Sequence, residues 1–127
     1  MCPATDAAAA LHAEAVARLG DVERAKSEAA QILARNPNDP FGLEALAFSQ
    51  YKAGDSKEAL ASAERALRAG RGAAAHLLMG LAAYDLGALD VARVEFRAVL
   101  DAEPDDLEAL RNLDILAQSV GAADGSH

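Results

Sequence analysis

The sequence has no tryptophan, four prolines, one cysteine, and in 127 residues only five aromatics, Phe41, Phe48, Tyr51, Tyr84 and Phe96. The single cysteine, Cys2, excludes an internal disulfide and any cysteine-based zinc site. Valine, isoleucine, threonine and aromatics are sparse, so nothing reads as a sheet. The longest unbroken apolar run, Ala73 to Tyr84, has twelve residues, too few to span a bilayer. No charged segment followed by an apolar core opens the sequence, so no secretory signal is expected.

Positive charge is also scarce. Twelve Lys and Arg face twenty Asp and Glu, for a formal charge of −8 and a pI near 4.7. Such a surface repels phosphate backbones and anionic lipid, which argues against nucleic acid and membrane as partners. The acids are dispersed along the chain, as on a solvated surface. Three lysines against nine arginines fit a GC-rich bacterial genome. The reading is of a cytoplasmic protein. A Met-Cys start also fits a processed lipoprotein whose signal has been replaced by Met, which would place the chain in the periplasm, membrane-bound only if lipidated at Cys2.

Chemistry is missing too. His12, His76 and His127 lie far apart and form no metal-ligand pattern. No G-x-x-x-x-G-K-[ST], G-x-S-x-G or H-E-x-x-H occurs. No carboxylate pairs with a histidine or a second carboxylate in a catalytic spacing. Neither an enzyme, a cofactor nor a metal is expected.

What is present is alanine, 33 of 127 residues, and alanine favours helix above all others. The class is all-α. There is also repetition. GDVERA (Gly20 to Ala25) returns 34 residues later as GDSKEA (Gly54 to Ala59), and 33 residues on as the looser GALDVA (Gly87 to Ala92). Leu33, Leu67 and Leu100 keep the same step. A period in the thirties marks a solenoid. Glycine can close one helix in a left-handed conformation, and the next aspartate can cap the following helix. Each phrase is therefore the corner of a helical hairpin, with Asp55 and Glu58 resembling a capping box. Ala25, Ala59 and Ala92 fall where a small side chain lets the two helices approach. Asn36-Pro37-Asn38-Asp39-Pro40 and Glu103-Pro104-Asp105 separate successive hairpins. Gly70-Arg71-Gly72, shorter and without proline, predicts an irregular or more mobile junction.

These residues resemble the tetratricopeptide repeat (TPR) family, whose 34-residue helix-turn-helix unit stacks into a right-handed superhelix. Ala13, Gly20, Ala25 and Pro37 match in the first unit. Leu46, Ala47, Gly54, Ala59 and Ala66 match in the second, and Gly80, Gly87, Ala92, Phe96 and Pro104 in the third. Departures are Ala9 and Val16 in the first unit and Leu43 and Gln50 in the second, at positions where the family usually carries large residues, with Arg71 for proline and Ala29 and Ala63 for an aromatic. The expected fold is a right-handed α-solenoid of three TPR-like repeats, at about 6–39, 40–72 and 73–106. A capping helix at 107–120 completes it, with flexible ends at 1–5 and 122–127. In that last helix Leu107, Leu110, Leu113, Leu116, Ala117 and Val120 are expected to face the stack, leaving a polar outer side.

The resemblance places Phe41, Glu44, Phe48, Tyr51, Leu77, Leu81, Tyr84, Arg111 and Ile115 in the concave groove that binds peptides in this family, with Lys52 nearby. Phe41, Phe48 and Tyr51 also share one helix face by spacing alone. These positions are mostly apolar, so the cationic clamp that grips a C-terminal carboxylate in some family members is not expected. The function read from this pattern is a noncatalytic protein-interaction module, adaptor-like or chaperone-like, binding an apolar peptide or helix of a protein partner. The alternatives are a homo-oligomeric scaffold closed through the same face or through the exposed end of the stack, and a bacterial lipoprotein of envelope or pilus assembly.

Overall fold

The computed structural model describes residues 3–125, with side-chain surroundings for residues 6–118. Seven helices and no strand occur among them: α1 Pro3–Arg18, α2 Val22–Arg35, α3 Pro40–Lys52, α4 Ser56–Arg68, α5 Gly72–Asp85, α6 Leu89–Ala102 and α7 Leu107–Gly125. Helix reaches further toward both ends than the sequence pattern drew it, starting at Pro3 and running to Gly125. Cys2 and His127 lie outside the described residues.

Each even-numbered helix buries one narrow stripe at the same spacing: Ala25, Ala29 and Ile32 in α2, Ala59, Ala63 and Ala66 in α4, Ala92, Phe96 and Val99 in α6. Steps of four and three residues stay on one helix face. The helices α3 and α5 bury two faces, because each has neighbours on both sides. Thus α3 touches α1, α2, α4 and α5, and its Leu43, Ala45, Ala47 and Ser49 are all buried. Phe96 is the largest fully buried side chain, with Ala83, Val99, Ala109 and Leu116 around it. The odd-numbered helices α1, α3 and α5 lie side by side and share one face of the molecule.

The corners follow the expected chemistry with two corrections. Gly20, Gly54 and Gly87 have φ of 99°, 86° and 81°, a region that side chains disfavour. After each, the next N–H donates to the carbonyl five residues back, Val16, Gln50 and Ala83, closing the helix end. Gly70 does the same, with φ of 106° and the Arg71 N–H on the Ala66 carbonyl at 2.9 Å. The α4–α5 junction is thus not irregular: it is a fourth corner of the same type, and this shorter corner accounts for the 33-residue step.

The second correction is Asp55. Its side chain makes no cap bond; it lies 3.3 Å from the Lys26 Nζ on the preceding hairpin. Real caps occur at Asp21, which accepts from the Arg24 N–H at 3.3 Å, and at Asp39, which accepts from the Gly42 N–H at 2.8 Å. At α7 the cap is Asp106, one residue beyond Asp105, accepting from the Ala109 N–H at 2.9 Å.

The last helix also sits differently. It packs on α6 through Ala109 and Leu116, with Leu113 half-buried against them. Leu107, Leu110 and Ala117 point to solvent, so the outer side of α7 is not purely polar. The side chain of Val120 lies outside the described set.

Candidate functional site

Two adjoining cavities open on the face shared by the odd-numbered helices. The larger, about 250 Å³, lies between α1, α3 and the start of α5, lined by Ala7, Ala10, Leu11, Glu14, Phe41, Glu44 and Arg71. The smaller, about 100 Å³, continues toward α7, lined by Glu14, Arg18, Glu44, Phe48, Ala74, Leu77, Leu78, Leu81 and Glu108. Glu14 and Glu44 border both, making one groove across four helices.

The structure brings five of the expected groove residues together here: Phe41, Glu44, Phe48, Leu77 and Leu81. Tyr51, Lys52, Tyr84, Arg111 and Ile115 do not line these cavities. Tyr84 and Ile115 are exposed, as are Lys52 and Arg111, and Tyr51 is half-buried. Burial raises the Tyr51 phenol above its ordinary range, with the charges of Asp85 and Glu108 adding to the effect. On α7 it is Glu108, not Arg111, that reaches the groove wall.

The apolar groove residues also serve the core. Phe48 packs against Val16, Ala17 and Ala25 and against the Ala47, Ala63, Leu78 and Met79 cluster. Leu77 and Leu81 rest on the cluster around Phe96. The free sides of the two phenylalanines carry cations. The Arg18 guanidinium lies 4.5 Å from the centre of the Phe48 ring, the Lys52 ammonium 5.9 Å from the same centre, and Arg71 4.8 Å from that of Phe41. A cation over an aromatic face contributes roughly 0.5–2 kcal/mol. Arg71 also donates to Glu44 from Nε at 2.6 Å.

Sequence reasoning missed Glu14, Arg18 and Arg71. Glu14 occupies the repeat position of Phe48, Leu81 and Ile115, which is the signal that could have found it. The residue is only 8% exposed, and it appears in no side-chain hydrogen bond or ion pair among the described residues. Desolvation, helped by the negative charge of Glu44, pushes its carboxyl up to about 7; Arg18 and Arg71 pull the other way without cancelling this.

The two described histidines are each paired with a glutamate. His12 bonds Glu28 at 2.6 Å and His76 bonds Glu95 at 2.7 Å, each across one hairpin. No group of three or more metal-ligating side chains occurs among the described residues, and no described helix is long and apolar enough to cross a membrane.

This architecture is known. The first TPR domain of the human RPAP3 protein superposes with a TM-score of 0.85 over 99% of this chain and 100% of that domain, at 19% identity. The chain has the tetratricopeptide repeat fold. The second TPR domain of human RPAP3, solved in complex with the HSP70 peptide SGPTIEEVD, gives a TM-score of 0.78 at 22% identity, over 91% of this chain and 98% of that one. In sequence, the TPR chain is 35% identical over 99 residues to Protein CTR9 homolog of Arabidopsis thaliana, covering 76% of this chain and 9% of that protein. The chain thus spans less than a tenth of the length of that curated relative. No family model matches the sequence.

Proposed function

We propose that this chain is a noncatalytic protein-interaction module, adaptor-like or chaperone-like, and that its groove holds an apolar peptide or helix segment of a protein partner. One observation carries the reading: a continuous groove crosses α1, α3, α5 and α7 with Phe41, Phe48, Leu77 and Leu81 in its walls. An RPAP3 domain of the same fold is solved with a peptide, which supports this mode of use. The three hairpins would form a right-handed stack with this groove on its inner side.

The test is substitution on the groove. Phe41→Ala and Phe48→Ala, which remove the two rings of the groove wall, are each expected to weaken partner binding by about 2 kcal/mol or more, roughly 30-fold, with helicity by circular dichroism unchanged. Binding that survives the double change removes the groove as the site.

A second reading, self-association, is favoured by the outer side of α7. Leu107 and Leu110 are 72% and 44% exposed there. Light scattering across a wide concentration range separates the two. A mass near 13.1 kDa throughout leaves the groove reading in place. A dimer abolished by Leu110→Lys moves the scaffold ahead.

A further inference from the structure

The reading above leaves the chemistry of the bound segment open, and Glu14 narrows it. A carboxylate largely withdrawn from water is costly unless it is paired. Glu14 is 8% exposed and lines both cavities; it forms no hydrogen bond or ion pair with any described side chain, and since no fully buried side-chain oxygen among the described residues lacks a partner, its carboxylate meets water only through the groove. Its surroundings do not supply a cation to spare. Arg71, at the start of α5, is already bonded to Glu44 and stacked on Phe41, and Arg18 is spread over Phe48. Across the groove stands a further carboxylate, Glu108 of α7.

We infer that the segment held in this groove is anchored by a basic side chain, a lysine or arginine flanked by apolar residues, whose cationic head pairs with Glu14. The inference rests on the groove being the binding site and adds what it recognises. The larger cavity has both kinds of surface such a residue needs. Ala7, Ala10, Leu11 and Phe41 line it with apolar surface for the methylene stem, and Glu14 shares the same lining. Long basic side chains bury their stems in this way while their charge finds a partner. The overall charge of −8 draws a basic segment in and repels an acidic one.

The pairing has a pH signature. The charged groups facing Glu14 are Arg18 on its own helix, Glu44 on α3, Arg71 at the start of α5 and Glu108 on α7. With its carboxyl pushed up to about 7, Glu14 is half-protonated near neutrality, and a cation binds only the ionised form. Affinity should therefore rise about 10-fold from pH 6 to pH 8, following the ionised fraction.

The experiment pans a displayed library of random dodecapeptides against the wild-type chain, Glu14→Gln, the Phe41→Ala/Phe48→Ala pair and the surface control Glu64→Gln. One selected peptide is then synthesised and titrated calorimetrically at pH 6 and 8. Peptides carrying a Lys or Arg between apolar residues, binding Glu14→Gln at least 10-fold more weakly and Glu64→Gln equally well, support the anchor. So does loss of the pH dependence in Glu14→Gln. Replacing the basic residue of the peptide by norleucine should cost the wild type that same factor and cost Glu14→Gln nothing. Selected peptides that lack a basic residue, that carry an acidic one, or that bind Glu14→Gln unchanged overturn the anchor while the groove stands. Selection of nothing, or of peptides indifferent to the Phe41 and Phe48 changes, removes the groove and the anchor with it. Circular dichroism of each variant confirms that a loss of binding is not a loss of fold.

Discussion

The Phe96 ring of α6 lies directly on the backbone of Gly80 in α5. A Cβ on Gly80 would sit 2.6 Å from Cε1 of that ring and 2.8 Å from Cδ1. Phe96 is fully buried, so the ring has nowhere to retreat. In a helix interior Gly→Ala ordinarily stabilises by roughly 0.5–1 kcal/mol. Here overpacking wins, and Gly80→Ala is expected to destabilise by about 1–3 kcal/mol. Gly72→Ala is the control: it opens the same helix, has no positive φ and meets nothing within 4 Å. It should be neutral or slightly stabilising in the same denaturant titration. Equal losses at both positions would show that the ring contact is not what glycine serves at position 80.

Removing the ring itself tests the same contact from the other side. Phe96→Ala should cost roughly 3–5 kcal/mol, because the cavity opens among Ala83, Val99, Ala109 and Leu116. Since this cluster joins α5, α6 and α7, the loss should appear as earlier hydrogen exchange in those three helices before α1 and α2. Uniform loosening across all seven would contradict a core built hairpin by hairpin.

Two aspartates that look alike in sequence differ in what they bond. Asp39 is buried, and its carboxylate accepts from the Gly42 N–H at 2.8 Å. Asp39→Ala should cost about 1–2 kcal/mol, as loss of a good N-cap does. Asp55 makes no cap bond and sits in a part-exposed pair with Lys26 at 3.3 Å. Asp55→Ala should cost about 0.5 kcal/mol or less, since part-exposed ion pairs contribute little. Chemical denaturation of the two variants side by side gives the comparison, and a larger loss at Asp55 would reverse the assignment.

The corners and the buried stripes were readable because their causes are local and recur. Gly20, Gly54 and Gly87 announce a left-handed backbone wherever they stand, and Ala25, Ala59 and Ala92 mark close approach at one offset from each corner. What the sequence hid depends on which neighbour arrives across space. Arg71 reads as a lost proline, yet its backbone closes a corner and its side chain reaches Glu44 and Phe41. Asp55 reads as a cap, but Lys26 from the previous hairpin takes its carboxylate. Leu107 and Leu110 keep the spacing of a buried stripe, while Ala109 and Leu116 are the residues that meet α6. Glu14, in an alanine-rich helix, looks like one more solvated acid; the walls that α3 and α5 bring up around it make it otherwise.

Glu14 should also leave a mark on stability, apart from any partner. Its ordinary carboxyl value of 4.5 applies to the unfolded chain, and burial raises it to about 7 in the fold. The folded state therefore holds the proton more tightly, so stability is lost as pH rises from about 4.5 to about 7 and stays lost above. At about 1.4 kcal/mol per pH unit the ceiling is roughly 3 kcal/mol. The cavity opens to water, which brings the expected effect to about 1–2 kcal/mol. Glu14→Gln keeps the shape without the titration. It should be more stable than wild type at pH 8 and match it near pH 4, as judged by urea midpoints at both values. Arg71→Ala should push the Glu14 titration higher still, read by carbon NMR of the carboxyl, because one of the two positive charges opposing the shift is gone. A Gln variant equally stable at both pH values would mean that Glu14 ionises as if in water, and the unpaired acid at the groove floor would no longer need a cation.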